Sequence, residues 1–246
     1  MNWKEKLYQH YVSSEQAGKK VFSSGELFAG NRPYVEQLIR DHFPADRQIH
    51  ILDIGCGHGT FLYFAKEKGY MNVRGIDFSE EQVALAHRLG LQEVQRASLE
   101  EFLQTSKDKY DLVLMIDVLE HLEPQELFDA LDSVAAILRP DARLIIHVPN
   151  AEGLFGMRIR YGDYTHTQAF TPRSIRQILL TCGFDDIRCM EERPVAKGIK
   201  GMIRNLLWRL GTLNSRLLLM AETGEREFVL SQNMLVVASR KQESPR

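Results

Sequence analysis

One stretch decides the fold of this chain: Ile49-His50-Ile51-Leu52-Asp53-Ile54-Gly55-Cys56-Gly57-His58-Gly59-Thr60. It is an apolar run that ends in a carboxylate and continues into glycines at alternate positions. An apolar run bounded by glycine is typical of a buried parallel strand. The glycines allow a sharp turn and a close approach of backbone to a ligand. Residues 61–68 have a helical pattern, so the sequence predicts a strand, a turn and a helix that together bind a nucleotide.

Strand-like and helix-like segments alternate along the rest of the chain. Further strands are predicted at 73–77, 93–97, 110–117, 144–148, 187–190 and 234–238. Helices are predicted at 33–43, after Ser79, at 125–138 and between Thr171 and Gly183. This alternation predicts an α/β fold, a doubly wound and mostly parallel seven-stranded sheet with helices on both faces. The ligand is then expected across the carboxyl ends of the strands.

Four segments differ in character. Residues 1–32 form a polar and aromatic N-terminal arm, expected to pack on the domain or to cover the site as a flap through Tyr8, Tyr11 and Phe22. Residues 33–194 form the nucleotide-binding core. Residues 195–232 form a helical insertion before the last strand, and residues 233–246 supply that strand and a tail.

The composition is that of an ordinary soluble protein. The 246 residues carry a formal net charge of −2, so nothing global favours nucleic acid as a partner. Three widely spaced cysteines without a CxxC pair indicate a reducing compartment and no zinc site. The first residues lack an apolar signal-peptide core, and no apolar run reaches the roughly 20 residues of a membrane span. We therefore expect a cytoplasmic protein.

The glycine turn differs from both common phosphate-binding turns. A dinucleotide turn reads GxGxxG, whereas the third glycine here comes one residue earlier, and no lysine follows as in a P-loop. Asp53 precedes the glycines, where a carboxylate would repel a pyrophosphate but attract an amino group. Asp77 ends the next strand, at the place from which an acid reaches ribose hydroxyls. The pattern favours a nucleoside that carries an amino group.

Four blocks of sequence, in the right order over roughly residues 45–190, resemble the motifs of class I S-adenosylmethionine-dependent methyltransferases. Asp53-Ile54-Gly55-Cys56-Gly57-His58-Gly59 resembles their first motif, and Ile76-Asp77-Phe78-Ser79 resembles their second-strand motif. The segments 110–122 and 138–146 resemble the fourth- and fifth-strand blocks. The resemblance implies the Rossmann-like methyltransferase fold and S-adenosyl-L-methionine as cofactor.

The resemblance also implies where the cofactor lies. The backbone of Gly55, Cys56 and Gly57 would lie against its methionine part, with Asp53 near its amino group. The dipeptide Asp117-Val118 would line the sulfonium side.

The nucleoside part of the cofactor has its own implied contacts. Asp77 would bind the ribose hydroxyls, and Phe78 would cover the adenine. The dipeptide Ser98-Leu99 would flank the adenine, although many members of the class have an acid near the position of Ser98.

The segment after the fifth strand contains the main candidates for catalysis. His166 is the first choice as general base because the pKa of histidine lies near the working pH. Asp163 and Tyr164 are expected to orient either His166 or the substrate. His121 is the second candidate. Either histidine could instead be structural, His166 within its loop and His121 by holding Glu120. No metal-ligand cluster is visible in the sequence.

The insertion has an unusual composition. Between Ala196 and Met220 it contains five basic residues and no acid, interleaved with large apolar residues. A basic amphipathic helix of this kind, over 197–220, is typical of a contact with an anionic membrane surface. The alternatives are packing on the core or a dimer face, so the oligomeric state stays open.

The acceptor of the methyl group is the least determined part. The polar loop and the basic insertion look like methyltransferases of bacterial surface-polysaccharide and lipid-linked glycan synthesis, so a sugar or glycan hydroxyl is the first expectation. The Glu120-His121-Leu122 block also looks like methyltransferases that act on quinone-like or other small aromatic hydroxyls. A scaffold that binds the cofactor without catalysis is the non-enzyme alternative.

Overall fold

A computed structural model describes residues 3–8 and 28–241. Its strands are β1 Ile51–Ile54, β2 Val73–Asp77, β3 Val94–Arg96, β4 Tyr110–Ile116, β5 Leu138–Pro149, β6 Phe184–Glu191 and β7 Asn233–Arg240. Its helices are α1 Trp3–Tyr8, α2 Arg32–His42, α3 Thr60–Glu67, α4 Glu80–Arg88, α5 Leu99–Thr105, α6 Pro124–Ile137, α7 Gly156–Arg160, α8 Pro172–Thr181 and α9 Gly198–Thr223. A short 3-10 helix, Leu119–His121, follows β4.

The strands form one seven-stranded sheet in the order β3-β2-β1-β4-β5-β7-β6. The pairs from β3 to β5 are parallel, and β7 runs antiparallel to both of its neighbours. This confirms the predicted α/β, mostly parallel doubly wound fold. The chain order reverses direction between β1 and β4, which opens a crevice at the carboxyl ends of these strands.

Two hydrophobic clusters cover the two faces of the sheet. Successive side chains of a strand point to opposite faces, so Leu52 and Ile54 belong to one cluster and Ile51 to the other. Strand β1 is therefore buried on both sides, as its apolar sequence predicts. The buried strand fixes the position of the glycine turn that follows it.

Strand β5 is longer than predicted. The expected strand covers 144–148, whereas the observed one begins at Leu138 and includes Pro140 and Asp141. Helix α6 ends at Ile137, and the residues that follow pair with β4 through a register irregularity in which Asp141 adopts a φ of 62°. The extra residues are absorbed as a bulge in the sheet.

The insertion forms one 26-residue helix, α9, followed by an extended segment that leads to β7. Thr212 is its single buried residue. No helix within 3–8 or 28–241 is long and apolar enough to cross a membrane. The predicted helical nature of the insertion is thus confirmed.

We expect Gly156→Ala to destabilise the fold strongly. A Cβ at Gly156 would lie 1.7 Å from the backbone oxygen of Asn150, which cannot move without breaking its own turn. The cost should be about 3 kcal/mol, or a melting temperature lower by about 6–12 °C. Thermal unfolding followed by circular dichroism measures this. Gly211→Ala is the control, because no atom of residues 3–8 or 28–241 lies within 4 Å of the added Cβ and alanine favours a helix interior. Equal melting temperatures for Gly156→Ala and the wild type would contradict the packing.

Candidate active site

The glycine turn after β1 brings backbone to the edge of the crevice. Gly55 has a φ of 68°, and a Cβ there would lie 2.6 Å from the Val118 side chain. The amides of Gly55 and Cys56 both donate to the Ile76 carbonyl, at 2.9 and 3.0 Å. The turn is therefore locked to the end of β2 and packed against the segment after β4, where only glycine fits.

Asp77 ties the turn to the next helix. Its Oδ2 accepts a hydrogen bond from the Gly57 amide and its Oδ1 accepts one from the Ser79 amide, both at 2.8 Å. Burial raises the pKa of Asp77, and the two amides oppose that effect. The carboxylate is thus fixed in the crevice wall, where it can accept further hydrogen bonds from a ligand.

Asp53 is a buried carboxyl, and one of its two oxygens has no hydrogen-bond partner among the described residues. It is 1% exposed, and its Oδ2 makes no hydrogen bond to any residue in the described part of the chain. Burial, with a contribution from Asp77, raises the pKa of Asp53 well above its usual value. A ligand ammonium group beside Asp53 would satisfy the orphaned oxygen and favour the ionised carboxylate.

These groups line a cavity of about 590 Å³ at the carboxyl ends of β1, β2 and β4. All the residues predicted to bind the cofactor lie in its wall: Asp53, Gly55, Cys56, Gly57, Asp77, Phe78, Ser98, Leu99, Asp117 and Val118. The Ser98 side chain also caps helix α5 by accepting from the Glu101 amide. The wall of this cavity therefore includes both the glycine turn and Ser98, the two places where the resemblance puts the methionine part and the adenine of the cofactor.

Among the predicted catalytic residues, His121 lies in the cavity wall and the others lie behind or outside it. His121 Nδ1 is 2.9 Å from the Thr165 hydroxyl, which in turn donates to Asp163 Oδ1 at 2.6 Å. Because that hydroxyl hydrogen goes to a carboxylate, the hydroxyl oxygen accepts from His121 Nδ1–H. The neutral ring therefore carries its proton on Nδ1, and Nε2 is the basic nitrogen.

The surroundings set the charges of this chain of hydrogen bonds. Burial, assisted by the nearby His166, lowers the pKa of His121 to about 4. Burial alone would raise the pKa of Asp163, but hydrogen bonds from the Thr165 hydroxyl and amide hold it below its usual value. At neutral pH a neutral His121 is therefore backed, through Thr165, by an ionised Asp163.

The structure places His166 and Tyr164 differently from His121. His166 Nδ1 lies 3.0 Å from the Ile159 carbonyl, and its ring packs edge-on against His121 with centroids 4.7 Å apart. Tyr164 is 84% exposed and stacks edge-on with Trp3. His166 is thus a neighbour that shapes the environment of His121, and Tyr164 lies at the surface.

A cluster that could hold a metal ion, found among the described residues, has no signature in the sequence. A nitrogen or oxygen atom from each of Glu120, His121 and His166 lies within 4.8 Å of the others. Both carboxyl oxygens of Glu120 are buried without a hydrogen bond inside the described ranges, and burial raises the pKa of this carboxyl well above its usual value. Spacing could not reveal the group, because the loop that supplies His166 folds back onto the 3-10 helix. The expectation of no metal stays untested.

Sequence reasoning did not predict a network of polar side chains that lies on the other side of the cavity. His147 is held between Asp117 at Nδ1 and Glu192 Oε2, the latter at 2.6 Å, and Tyr34 donates to Glu192 Oε1 at 2.5 Å. Burial alone would lower the pKa of His147, but the two carboxylates raise it well above its usual value. The imidazolium therefore fixes Asp117, whose φ is 56°. One feature of the sequence could have indicated this network: His147 is a polar residue within the otherwise apolar strand predicted at 144–148.

Part of the N-terminal arm lies beside the site. Lys4 Nζ donates to the His121 carbonyl at 2.8 Å and to Glu123 Oε1 at 3.3 Å. Tyr11 and Phe22, named as flap contacts, lie outside the described residues, as does the side chain of Tyr8. The flap therefore stays a prediction.

Comparison with known proteins agrees with this geometry. The family described as Methyltransferase domain matches residues 28–188. The Ubiquinone biosynthesis O-methyltransferase of Aeromonas salmonicida is 29% identical over 143 residues, which cover 51% of this chain and 58% of that protein. A probable (S)-tetrahydroprotoberberine N-methyltransferase 2 of Papaver bracteatum is 40% identical over 84 residues, 32% of this chain and 23% of that protein.

Solved structures extend the likeness over most of the chain. A SAM dependent methyltransferase from Archaeoglobus fulgidus superposes with a TM-score of 0.66 at 26% identity, covering 88% of this chain and 97% of that one. Phosphoethanolamine N-methyltransferase 2 of Haemonchus contortus, in complex with S-adenosyl-L-methionine, has the same fold, with a TM-score of 0.64, 17% identity, and 98% and 60% coverage.

The chain belongs to the methyltransferase-domain family, and its sheet has the Rossmann-like fold of class I S-adenosylmethionine-dependent methyltransferases. The matched segments span less than two thirds of the length of the first curated relatives. The residues present fit the cofactor: the orphaned Asp53 oxygen suits its ammonium group, the glycine turn admits its backbone, and Asp77 has acceptor capacity for its ribose.

Proposed function

We propose that this enzyme O-methylates a small aromatic hydroxyl, with His121 as the general base. The observation that carries the proposal is the chain Asp163–Thr165–His121, which ends in the wall of the cavity that Asp117 and Val118 also line. The relatives named for ubiquinone biosynthesis support the same class of acceptor. The sequence alone placed the sugar hydroxyl first and His166 before His121.

The basicity of His121 favours a phenol over a sugar. With a pKa of about 4, His121 is a weak base, and proton transfer becomes harder as the acceptor becomes less acidic. A phenol has a pKa near 10, whereas water, which resembles an aliphatic alcohol, has one near 15.7. The difference of roughly five to six orders of magnitude makes the phenolic hydroxyl the better match.

The residues of the chain then divide the work of the reaction. When bound, S-adenosylmethionine supplies an activated methyl group on a positively charged sulfur. Asp77, Asp53 and the glycine turn hold and orient it, which converts the transfer into an aligned, effectively unimolecular step. His121 would take the hydroxyl proton at Nε2 while the acceptor oxygen bonds to the methyl carbon. The bond between that carbon and sulfur would break, and S-adenosylhomocysteine would be the leaving group. Asp163, acting through Thr165, stabilises the imidazolium that results.

A sugar or glycan hydroxyl is the second candidate. The loop 163–167 is rich in polar groups, with Asp163 and Thr165 close to His121. Such groups can also bind a polyhydroxylated acceptor. This reading requires a base stronger than His121 in its present environment.

An acceptor panel separates the two candidates. The purified enzyme is incubated with S-adenosylmethionine and either catechols and hydroxybenzoates of increasing size, or free and lipid-linked sugars. We expect S-adenosylhomocysteine to form with the phenols, and turnover to rise as the phenol pKa falls toward neutrality. Turnover with sugars alone would overturn the aromatic proposal.

The location of the protein in the cytoplasm, a reducing compartment, stays a prediction.

The pH dependence tests the assignment of the base. His121 must be neutral to accept a proton, and its lowered pKa keeps it neutral far into the acid range. We expect kcat/KM to stay level as the pH falls from about 8 to about 5, and to decrease tenfold per unit only below about 4. Circular dichroism at each pH controls for unfolding. A loss of activity with a midpoint near 6.5 would point to an unperturbed histidine instead.

A further inference from the structure

Helix α9 is attached to the protein by its polar side. Asn205 Nδ2 donates to the Pro194 carbonyl at 2.8 Å, and Arg216 contacts Glu191 and the Phe228 carbonyl. Gly201 lies so close that a Cβ would meet the Val195 carbonyl at 2.5 Å. Together with the buried Thr212, these contacts repeat along one face of the helix and fix its rotation.

The opposite side of α9 is apolar and exposed. Large side chains project from it along the whole helix: Ile199, Met202, Ile203, Leu206, Leu207, Leu210, Leu213, Leu217, Leu218 and Met220. Ile199 is 78% exposed and Leu207 is 63% exposed. A surface helix normally shows the reverse arrangement, with its apolar stripe toward the core. A continuous exposed apolar patch that runs along a 26-residue helix marks an interaction site.

Cations border the apolar stripe on both edges. At 100° per residue, Lys200 and Arg204 lie along one edge and Arg209 along the other, and all three are exposed. No acidic residue occurs between Ala196 and Met220. Long basic side chains at the margin of an apolar face can place their charges among lipid headgroups while their stems cover apolar surface.

Two occupants of this face can be compared by charge. Seven of its apolar residues follow a strict 4-3 spacing (Ile199, Ile203, Leu206, Leu210, Leu213, Leu217 and Met220), which would also suit a second copy of the helix. However, such pairing would bring the exposed cations of both copies together without an acid between 197 and 220 to offset them. The exposed stripe is also wider than that seam, since it includes Leu207 and Leu218. An anionic bilayer surface matches both the breadth and the charge.

We propose that α9 is an interfacial membrane anchor that lies flat on an anionic bilayer, with its outward stripe among the acyl chains and its flanking cations among the headgroups. The polar contacts of the inner face keep the helix oriented for this contact. The proposal does not depend on which hydroxyl the enzyme methylates, so vesicle binding and turnover can fail separately.

Sedimentation of the full chain with vesicles tests the proposal. One set of vesicles is phosphatidylcholine alone, and the other contains about 30% phosphatidylglycerol. We expect the protein to pellet with the anionic vesicles and to be released as the salt concentration rises, because salt screens the headgroup charges. Little protein should pellet with the neutral vesicles.

Variants separate the apolar and the charged contributions. Leu206→Gln/Leu210→Gln/Leu213→Gln removes apolar contacts and should lower the partition coefficient at least about tenfold. Arg204→Gln/Arg209→Gln should lower it about 25-fold, from roughly fivefold for each cation. Because all five side chains are exposed, the melting temperature should stay unchanged.

The control is Arg173→Gln/Leu180→Gln, which makes the same kinds of change at exposed positions of α8 and should bind as the wild type does. Failure of the wild type to pellet, or equal pelleting of the triple variant, would overturn the proposal. A different result would also overturn the proposal: the wild type is a dimer in light scattering, the triple variant is a monomer, and neither binds vesicles. A second copy of the chain would then occupy the apolar face.

Discussion

Replacing His121 by alanine should lower kcat by about two to four orders of magnitude and leave the affinity for S-adenosylmethionine unchanged. General-base catalysis contributes this much in typical enzymes. His121 lies in the cavity wall, and Asp163 sets its neutral tautomer through the Thr165 hydroxyl. Single-turnover kinetics with a phenolic acceptor, together with calorimetry of cofactor binding, measures the two quantities separately.

Matched variants make the His121 prediction specific. Thr165→Val removes the hydroxyl that links His121 to Asp163 and should lower kcat less, about tenfold to a hundredfold. His50→Ala, at an exposed position just before β1, should behave as the wild type does. If His166→Ala lowers kcat by two to four orders of magnitude and His121→Ala is nearly as active as the wild type, His166 is the general base. Loss of activity on chelation, restored by a divalent cation, would reassign the Glu120, His121 and His166 group as a metal site.

Replacing Asp77 by alanine should weaken cofactor binding about a hundredfold. The change removes the acceptor assigned to the ribose hydroxyls and frees the Gly57 amide that positions the glycine turn. Hydrogen bonds to a charged group contribute about 1.5–3 kcal/mol each, and about 1.4 kcal/mol corresponds to tenfold in affinity. Isothermal titration calorimetry with S-adenosylmethionine measures the change.

Two companion variants test the cause of that loss. Asp77→Asn keeps the shape but loses the charge, and it should lose about tenfold. Glu80→Ala, an exposed acid at the start of α4, should bind as the wild type does. If Asp77→Ala keeps the affinity of the wild type, the ribose assignment is wrong.

The cofactor half of the site could be predicted from sequence for a physical reason. Its groups are a backbone turn and carboxylates that lie at or just after the carboxyl ends of buried parallel strands, and parallel strands bring these ends to one edge. Asp53, Asp77 and Asp117 each come from a different strand, yet all line one cavity. The apolar pattern that predicts the strands therefore also predicts the assembly.

The catalytic half depends on contacts that no local pattern determines. The position of His121 follows from a loop, 163–167, that folds back so that Thr165 reaches it. Asp117 is held by His147 of β5, which is held in turn by Glu192, the residue after β6. These partners are far apart in sequence, so residue type favoured His166, whereas geometry favours His121.

The insertion shows the same limit in another form. Its composition predicts a basic, amphipathic helix, and the structure has a helix at Gly198–Thr223. Composition alone could not tell which side of that helix faces the protein. The structure turns small and polar residues such as Gly201, Asn205 and Thr212 inward and leaves the apolar stripe outside.

Transfer of a labelled methyl group tests whether this protein methylates an aromatic hydroxyl with His121 as the base. The enzyme is incubated with S-adenosylmethionine that carries a deuterated methyl group and with a small-molecule extract, and the products are analysed by mass spectrometry. We expect S-adenosylhomocysteine together with a product in which one deuterated methyl replaces the hydrogen of an aromatic hydroxyl, and with His121→Ala both should form at least about a hundredfold more slowly. Cofactor binding without S-adenosylhomocysteine from any fraction, as expected of an inactive scaffold, would contradict it.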